Sequence, residues 1–380
     1  MSERCDVLVI GAGIVGAACA WRLAERGLRV TVVERETGPA GGSTGRSAAG
    51  VRHQFSDEVN VRLSQASIEE YRSMPQSSYQ PVGYLFYVPH DAWDAHLRGV
   101  EVQRRLGVPV QVLTPAQANA IVPADTRGLA GATFCAIDGF VDPHGICMEY
   151  VARARASGTT FAFACEVTAI ARSADVFTVL AGTRRFEAPL IVNAAGAWAG
   201  RVAALAGLDV PVGPARRMVF VSAPLPSQLP LPRPCPLTVE LGSGVWFRSE
   251  RDRLIFGLSN PADVGFAEGI DWPWLENTYE AALRHFPWFD QLAVDRRASW
   301  WGYYEVTPDH NPVLGRMAGN EGWIDACGFS GHGVQQAAAV GRLIAQEALG
   351  EPTFIDIAPL RGERFGAGAR PAAGSERLIV

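Results

Sequence analysis

The stretch that most restricts how this chain folds is GAGIVG, residues 11–16, because Gly11, Gly13 and Gly16 stand in G-x-G-x-x-G order. The apolar run DVLVI precedes it, and a segment with helical periodicity follows. A second apolar run, RVTVVE, then ends at Glu34, 18 residues after Gly16. Short apolar runs indicate buried strands and the 3.6-residue period indicates a helix, so the order predicts a βαβ unit.

This unit carries the chemistry of a dinucleotide site. Gly11 permits the tight turn, Gly13 lets a pyrophosphate approach the backbone, and Gly16 allows the helix to pack closely. The helix N-terminus offers N–H groups to the phosphates, and a carboxylate at Glu34 is placed to accept a hydrogen bond from a ribose hydroxyl. We therefore predict that the chain binds a dinucleotide.

The spacing of later segments bears on which dinucleotide is bound. A nicotinamide enzyme usually completes its parallel sheet without interruption. Here a long segment separates the βαβ unit from the next strand end with small residues, VNAAGAW at 192–198. This favours a discontinuous nucleotide-binding domain with a substrate domain inserted, and the length of 380 residues also favours two domains.

Composition excludes several other classes of protein. A net charge of −5 gives no electrostatic reason to expect a nucleic acid or an anionic membrane as partner. No run of 18 apolar residues occurs, so we predict no transmembrane segment and expect a cytoplasmic protein. The seven cysteines form no CxxC pair, and we predict no metal site. The chain contains no lysine, which excludes any mechanism that needs one.

A second glycine-rich turn, GFSGHG at residues 328–333, precedes a long apolar helix that starts near Val334. Backbone N–H groups at such a helix N-terminus can stabilise negative charge that develops on the pyrimidine ring of a reduced flavin. The turn is therefore a candidate flavin contact. His332 within it either fixes the backbone or takes part in catalysis, and both interpretations stay open.

These blocks resemble the FAD-dependent oxidases and dehydrogenases of amino acids and N-alkyl amino acids, the D-amino-acid oxidase and sarcosine oxidase superfamily. The similarity is strongest to the β subunits of L-proline dehydrogenase and of heterotetrameric sarcosine oxidase. The shared segments cover nearly the whole chain. They include GAGIVG, the block S-T-x-R-x-x-x-G-x-R-x-Q-F-x-D-E-x-N-V-R at 43–62, VGYLF, VNAAGAW, WGYYEVTPDHNPVLGR and GFSGHG.

The resemblance implies FAD as the cofactor. Gly302 stands where monomeric sarcosine oxidase has its flavin-linking cysteine, so the FAD is expected to be non-covalent. The adenosine half is expected at the first glycine turn and the second strand end, and the flavin ring between residues 43–50 and 331–335. The residues implied to contact FAD are Gly11, Gly13, Ile14, Val15, Gly16, Glu34, Arg35, Ser43, Thr44, Arg46, Ser47, Gly50, Val167, Ala195, Gly196, Trp198, Gly328, Gly331, His332, Gly333, Val334 and Gln335.

An amino-acid substrate presents a carboxylate, and a guanidinium is its natural partner because it is planar, permanently charged and bidentate. The D-amino-acid branch takes this arginine from the position of Tyr304, which weakens that branch here. The sarcosine oxidase branch takes it from the loop that contains Arg52, and adds a lysine where this chain has Gln335. We predict that Arg52, Tyr304 and Gln335 position the substrate, and that His53 or Tyr303 biases the protonation of its amine.

Two comparisons with the oxidases of this family bear on which molecule accepts electrons from the reduced flavin. The lysine that helps the oxidases of this family react with oxygen cannot exist in this chain, so oxygen is expected to be a poor acceptor. A dehydrogenase that passes electrons to a quinone, a partner subunit or a second flavin and an oxidase both stay open. In the heterotetrameric oxidase a histidine carries covalent FMN, and His144 in VDPHGICMEY aligns with it. A histidine at a helix N-terminus usually has a structural role, which is the interpretation we favour for His144, and the FMN site is the alternative.

We predict an α/β fold with a glutathione-reductase-like, Rossmann-type FAD-binding domain and an inserted substrate domain built on a mostly antiparallel sheet. The predicted reaction oxidises the CH–NH bond of a small secondary or N-alkyl amino acid, such as proline or sarcosine, by hydride transfer to flavin N5, and the imine is then hydrolysed. A hydroxy-acid or glycerol-phosphate dehydrogenase and a non-catalytic assembly or scaffold subunit are the alternatives. The predicted boundaries are 1–80, 141–212 and 312–365 for the FAD-binding domain, 81–140 and 213–311 for the substrate domain, and 366–380 for a loose C-terminal tail.

Overall fold

The computed structural model describes residues 2–366, and the predicted tail therefore lies outside the described residues except for Gly366. The described helices, in chain order, are α1 (Ile14–Glu25), α2 (Glu58–Arg72), α3 (His90–Arg105), α4 (Pro115–Asn119), α5 (Pro143–Ala156), α6 (Ala199–Leu205), α7 (Trp274–Leu283) and α8 (Gly333–Leu349). The described strands, in chain order, are β1 (Glu3–Arg4), β2 (Val7–Ile10), β3 (Val30–Val33), β4 (Gly50–Val51), β5 (Tyr84–Pro89), β6 (Gln111–Leu113), β7 (Leu129–Cys135), β8 (Gly139–Phe140), β9 (Thr160–Ala162), β10 (Val167–Ser173), β11 (Val176–Ala181), β12 (Arg184–Ala188), β13 (Leu190–Asn193), β14 (Gly213–Val221), β15 (Leu237–Glu240), β16 (Trp246–Glu250), β17 (Arg253–Gly257), β18 (Trp300–Val306), β19 (Val313–Met317) and β20 (Asn320–Cys327).

A six-stranded sheet holds the predicted βαβ unit. Its strand order is β19, β20, β13, β2, β3, β9. Strands β20, β13, β2, β3 and β9 run parallel, and β19 is antiparallel to β20. Strand β2, helix α1 and strand β3 follow one another along the chain, so the βαβ prediction is confirmed.

The two faces of this sheet are buried by different partners. Successive residues of a strand point to opposite faces. Val7 and Val9 of β2 pack in a core that includes α1, α5 and α8. Leu8 and Ile10 pack against a four-stranded sheet of the order β1, β12, β11, β10. Strand β2 therefore ends at Ile10 between two packed layers. These layers hold Gly11, the first residue of the glycine turn, at the carboxyl edge of the sheet.

An eight-stranded sheet forms the second large unit, in the order β18, β14, β17, β16, β15, β5, β7, β6. Neighbouring strands are antiparallel except for the pair β15 and β5. Aromatic side chains dominate the core on one face, where Phe247 packs edge-on against Phe286, Trp288 and Phe289. The parallel nucleotide-type sheet and this mostly antiparallel sheet confirm the predicted fold class.

The strands of the eight-stranded sheet lie within residues 84–135 and 213–306. The division of the chain into an FAD-binding and a substrate domain at the boundaries given above stays a proposal. Among residues 2–366, no helix combines the length and the apolar character needed to cross a membrane.

Candidate active site

A long cavity of about 500 Å³ lies where the two large sheets meet. Its wall includes the ends of β2, β3 and β13, the loop of residues 42–52, residues 217–219 of β14, residues 302–305 of β18, and the start of α8. Open α/β sheets bind ligands outside the carboxyl ends of their parallel strands, and the cavity begins at that edge. A single ligand in this cavity can contact both sheets.

Most of the predicted site residues line this cavity. They are Gly11, Gly13, Ile14, Val15, Glu34, Arg35, Ser43, Thr44, Arg46, Ser47, Gly50, Arg52, Val167, Ala195, Gly196, Trp198, Tyr303, Tyr304, Gly331, His332, Gly333, Val334 and Gln335. Gly16, His53 and Gly328 lie behind the wall rather than on it. The structure therefore brings together residues that are more than 300 positions apart in the sequence.

The first glycine turn leaves no room for side chains. Gly11 has a φ of +106°, and a Cβ there would collide with the carbonyl oxygen of Ala194. A Cβ on Gly16 would collide with the carbonyl oxygen of Gly11, so Gly16 acts through helix packing rather than on the cavity. The Ile14 backbone N–H donates to Thr44 Oγ1 at 3.0 Å, which ties the start of α1 to the loop after β3.

Glu34 is fixed at the end of β3 by backbone donors. Its carboxylate accepts from the N–H of Ala12 at 2.7 Å and from the N–H of Glu36 at 2.9 Å. These bonds hold the carboxylate on the cavity wall, where the ribose of a dinucleotide is expected. The guanidinium of the neighbouring Arg35 lies 4.3 Å from the ring centre of Trp198.

The loop of residues 43–50 is tied to β18. Ser43 Oγ donates to the carbonyl oxygen of Tyr303 at 2.7 Å. The carbonyl oxygen of Arg46 accepts from the Trp300 indole N–H at 2.8 Å, and the Arg46 guanidinium lies 4.5 Å from the Trp301 ring centre. The loop is therefore anchored to the substrate-side sheet along its length.

The second glycine turn also contacts β18. The Gly328 N–H donates to Glu305 Oε2 at 2.8 Å, so Gly328 supports the turn from behind. Gly331 has a φ of +94°, and a Cβ there would clash with the ring of Tyr304. His332 occupies the N-cap position of α8, and the first residues of that helix face the cavity.

Arg52 is almost fully enclosed, with 2% of its surface exposed, and it borders the cavity. Its guanidinium donates to the carbonyl oxygen of Gln54 and lies 3.1 Å from His332 Nε2. It also stacks over the Phe55 ring at 4.2 Å. The Arg52 backbone N–H donates to Gln335 Oε1 at 3.1 Å, so Gln335 positions this arginine directly.

The surroundings of His332, which include Arg52, determine its protonation state. Burial and the positive charge of Arg52 hold the pKa of His332 well below its ordinary value. The ring is therefore neutral, and since a guanidinium only donates, Nε2 accepts and the proton sits on Nδ1. Of the two interpretations of His332, this geometry favours a residue that fixes its neighbours.

The structure places His53 away from the cavity. Its backbone N–H and its Nδ1 both contact Asp138 Oδ1, at 2.8 and 2.6 Å. Gln54 Nε2 donates to the other carboxylate oxygen at 3.1 Å. A contact between His53 and a substrate amine therefore has no support in this arrangement, and the Asp138 carboxylate instead anchors the segment that carries Arg52.

His53, Cys135 and Asp138 lie close enough to be considered as metal ligands, with ligand atoms within 4.8 Å of one another. Burial, together with the charge of Asp138, raises the pKa of the Cys135 thiol, which is then protonated and a poor ligand. The Asp138 carboxylate already accepts the hydrogen bonds described above. The prediction of no metal site stays a prediction.

His144, the residue considered for a second flavin, lies in the first turn of α5 and is exposed. It does not border the cavity. Asp142 caps this helix by accepting from the Gly145 N–H at 3.0 Å, so the cap does not depend on His144.

Sequence reasoning missed several charged residues on the cavity wall, and two of them, Arg217 of β14 and Glu305 of β18, lie on the strands that carry Tyr304 or pair with it. Burial lowers the pKa of Arg217 and raises that of Glu305 to about 7. The signal for Glu305 was its place within the WGYYEVTPD block, directly after the selected Tyr303 and Tyr304. Arg217 follows Arg216 in the sequence, and nothing in that pair shows which of the two faces a site.

The sequence pattern of the FAD dependent oxidoreductase family, DAO, matches residues 6–347, and the chain belongs to this family. FAD-dependent oxidoreductase domain-containing protein 1 of Bos taurus is 30% identical over 427 residues, which cover 97% of this chain and 86% of that protein. Mitochondrial dimethylglycine dehydrogenase of Mus musculus is 26% identical over 393 residues, 96% of this chain and 44% of that protein. The chain therefore spans less than half of that dehydrogenase.

Among solved structures, L-proline dehydrogenase from P. horikoshii matches with a TM-score of 0.87 at 28% identity, covering 96% of this chain and 98% of that one. The resemblance inferred from the motifs is confirmed at the level of the family. The chain is an oxidoreductase of the DAO type.

The residues present fit FAD. Gly11, Gly13 and Val15 line the cavity at the start of α1, and the positive end of this helix suits a pyrophosphate. Glu34 lies at the next strand end, in position for a ribose. The loop 43–50 and the turn at Gly331 border the rest of the cavity and would hold the flavin ring.

Proposed function

We propose that the chain is an FAD-dependent dehydrogenase that oxidises the CH–NH bond of a small secondary or N-alkyl amino acid. The observation that supports this most is the group of Arg52, Tyr304 and Gln335 at one end of the FAD-type cavity. The names of two relatives, a dimethylglycine dehydrogenase and an L-proline dehydrogenase, describe oxidation of amino acids with a substituted nitrogen.

FAD supplies the two-electron acceptor when it is bound. Arg52 binds the substrate carboxylate, and its rigid support turns that contact into a fixed orientation of the substrate α-carbon. The support consists of the Gln54 carbonyl, the neutral His332 ring and the Gln335 amide oxygen. Tyr304 adds a hydroxyl to the same end of the cavity.

The substrate loses a hydride from carbon and a proton from nitrogen, and water then hydrolyses the imine to a carbonyl compound and an amine. No side chain is required as a base if the amine reacts in its neutral form, and its proton leaves to solvent. This accords with the position of His53 behind the wall.

The acceptor that reoxidises the cofactor is proposed to be a quinone, a partner subunit or a second flavin rather than oxygen, because the chain has no lysine. The cytoplasmic location likewise stays a prediction, and an FMN at His144 stays the less favoured alternative to a structural role for this histidine.

A substrate screen under anaerobic conditions tests the proposal. Purified protein loaded with FAD is mixed with proline, sarcosine, glycine or D-amino acids, and separately with hydroxy acids and glycerol phosphate, while the visible absorption band of the flavin is followed. We expect bleaching by a secondary or N-alkyl amino acid. Bleaching by a hydroxy acid alone would assign the second activity considered above. Bound FAD that none of these compounds reduces would instead favour a scaffold subunit.

A further inference from the structure

Arg216 and Arg217 are consecutive residues of β14 with opposite surroundings, because neighbouring side chains of a strand point to opposite faces. Arg216 lies opposite Tyr303 of β18 and pairs with Asp263, with 2.9 Å between Nε and Oδ2. Its guanidinium also donates to the carbonyl oxygens of Glu268 and Gly269. Arg216 therefore fastens the loop of residues 263–269 on the face of β14 opposite to Arg217.

Arg217 faces the cavity instead. Its guanidinium donates to the Arg216 carbonyl oxygen at 2.9 Å, but its Nε is buried with no hydrogen-bond partner. Within residues 2–366, Arg217 forms no ion pair with any carboxylate. The position directly opposite it on β18 is Gly302, so no side chain on that strand covers the guanidinium at this point.

The positive charges of Arg217 and Arg52 both affect Tyr304, at the same end of the cavity. The Arg217 guanidinium lies 5.3 Å from the centre of the Tyr304 ring. Burial raises the pKa of the Tyr304 hydroxyl, and the charges of Arg217 and Arg52 both oppose that shift. Tyr304 is thus within electrostatic range of both arginines.

The balance of charge at this end points to a ligand with two negative groups. Asp263 is the carboxylate whose field reaches Arg217, and it is already paired with Arg216. Glu305 borders the cavity but faces the Gly328 N–H. Partly buried cations are costly unless an anion compensates them. The proposed function assigns the substrate carboxylate to Arg52, so that carboxylate does not compensate Arg217.

We propose that Arg217 is a second anion-binding residue and that the substrate is an amino acid with two carboxylates, one held by Arg52 and the other by Arg217. The inference rests on the proposed function and specifies its substrate class. A compound of this kind that keeps the secondary amine of the proposed function is sarcosine with a carboxylate added to its methyl group, iminodiacetate. A charged residue placed for the second carboxylate would discriminate against substrates that lack it.

Binding of thioether analogues tests this inference without turnover. Methylthioacetate carries one carboxylate and thiodiacetate carries two, and neither has an amine to oxidise. Each is titrated into FAD-loaded protein, and the perturbation of the flavin spectrum gives its Kd. We expect thiodiacetate to bind at least about tenfold more tightly, since an added charge-assisted contact has about that effect.

Substitutions test whether Arg217 causes the preference for thiodiacetate. Arg217→Met should remove the preference for thiodiacetate and leave the Kd of methylthioacetate nearly unchanged, whereas Arg52→Ala should weaken both ligands. Arg217→Lys keeps the charge and should retain part of the preference, which also covers the case in which the methionine variant does not fold. Arg201→Met, which removes a charge elsewhere on the cavity wall, should leave the ratio of the two Kd values unchanged.

Equal Kd values of the two analogues in the wild-type protein would overturn the inference, and so would an equal loss of both ligands in Arg217→Met. A protein whose flavin is reduced by sarcosine or proline but that shows no preference for two carboxylates would retain the proposed function and lose only this inference. A protein whose flavin no amino acid reduces would fail the proposed function itself.

Discussion

Glu305 is a carboxyl group in surroundings that disfavour its ionised form. It borders the cavity on β18, and its Oε2 accepts from the Gly328 N–H at 2.8 Å. Burial raises its pKa to about 7, against the opposing effect of the Gly328 and Phe329 backbone N–H groups. The group therefore changes its protonation state near neutral pH, at the turn that leads into α8.

This shift predicts a pH-dependent effect of Glu305→Gln on stability. Below the unfolded-state pKa of 4.5, the carboxyl is protonated in both states and contributes no difference. As the pH rises from there to about 7, the unfolded chain ionises first, and the folded state loses up to ~3 kcal/mol relative to it. Glutamine avoids this loss, so urea unfolding should show the variant gaining stability over the wild type between pH 5 and pH 8.

The comparison must be made between the two proteins rather than on the wild type alone. Burial also raises the pKa of Asp325, to about 6, and that group lowers the stability of both proteins in the same direction as the pH rises. A difference between variant and wild type that is as large at pH 5 as at pH 8 would refute the assignment to Glu305.

A comparison of Arg52 with Arg217 shows which site residues could be predicted from the sequence and which could not. Arg52 could be selected because a glycine- and serine-rich block surrounds it and a guanidinium suits a carboxylate. Arg217 could not, because its exposure to the cavity depends on strand alternation in β14 and on Gly302 as its partner in β18. His53 was selected for its chemistry, and the buried Asp138 holds it behind the wall.

At the scale of elements, helices α1 and α8 approach closely because small residues face one another. A Cβ on Gly341 of α8 would lie 2.8 Å from the backbone carbonyl of Ala18 and 3.0 Å from its Cβ. Both helices begin at a glycine turn on the cavity wall. Their spacing therefore sets the relative position of the two turns that are expected to hold FAD.

Gly341→Ala should destabilise the protein, because the added methyl group meets backbone that cannot move aside. We expect a loss of about 1–2 kcal/mol in the free energy of unfolding, since overpacking outweighs the better helix propensity of alanine. Gly333→Ala, in the first turn of the same helix, is the matched control, because its nearest neighbours lie 3.7 Å or more from the added Cβ. Urea unfolding that ranks the two variants in the reverse order would disprove the packing argument.

The elements that could be predicted are those whose signals are local. The first glycine turn, its strands and the helix after GFSGHG follow from period and glycine spacing within about thirty residues. The pairing of β14 with β18, which places Arg217 near Tyr304, joins segments about ninety residues apart and leaves no such periodic signal. The loop of residues 43–50 was assigned to the flavin through resemblance, and its anchoring to Trp300 and Tyr303 became visible only in the fold.

At the scale of the whole molecule, the cavity joins two units with separate cores. One wall comes from the six-stranded sheet and the helices α1 and α8, and the other from the eight-stranded sheet and its aromatic core. A ligand that touches both walls binds only when the two sheets are in place together. Its binding free energy therefore adds to the stability of the whole chain.

Removal of FAD should lower the thermal midpoint, and adding it back should raise the midpoint with the logarithm of its concentration. At a free FAD concentration of 100 times Kd the expected stabilisation is about 2.7 kcal/mol. NAD⁺ is the control, because it shares the adenosine diphosphate half that the glycine turn and Glu34 are expected to hold but lacks the flavin ring. We expect NAD⁺ to produce a much smaller shift, since the loop 43–50 and the turn at Gly331 would gain no ligand contact. Equal shifts from NAD⁺ and FAD would show that only the adenosine end is recognised, and that the wall shared by the two sheets does not hold a flavin.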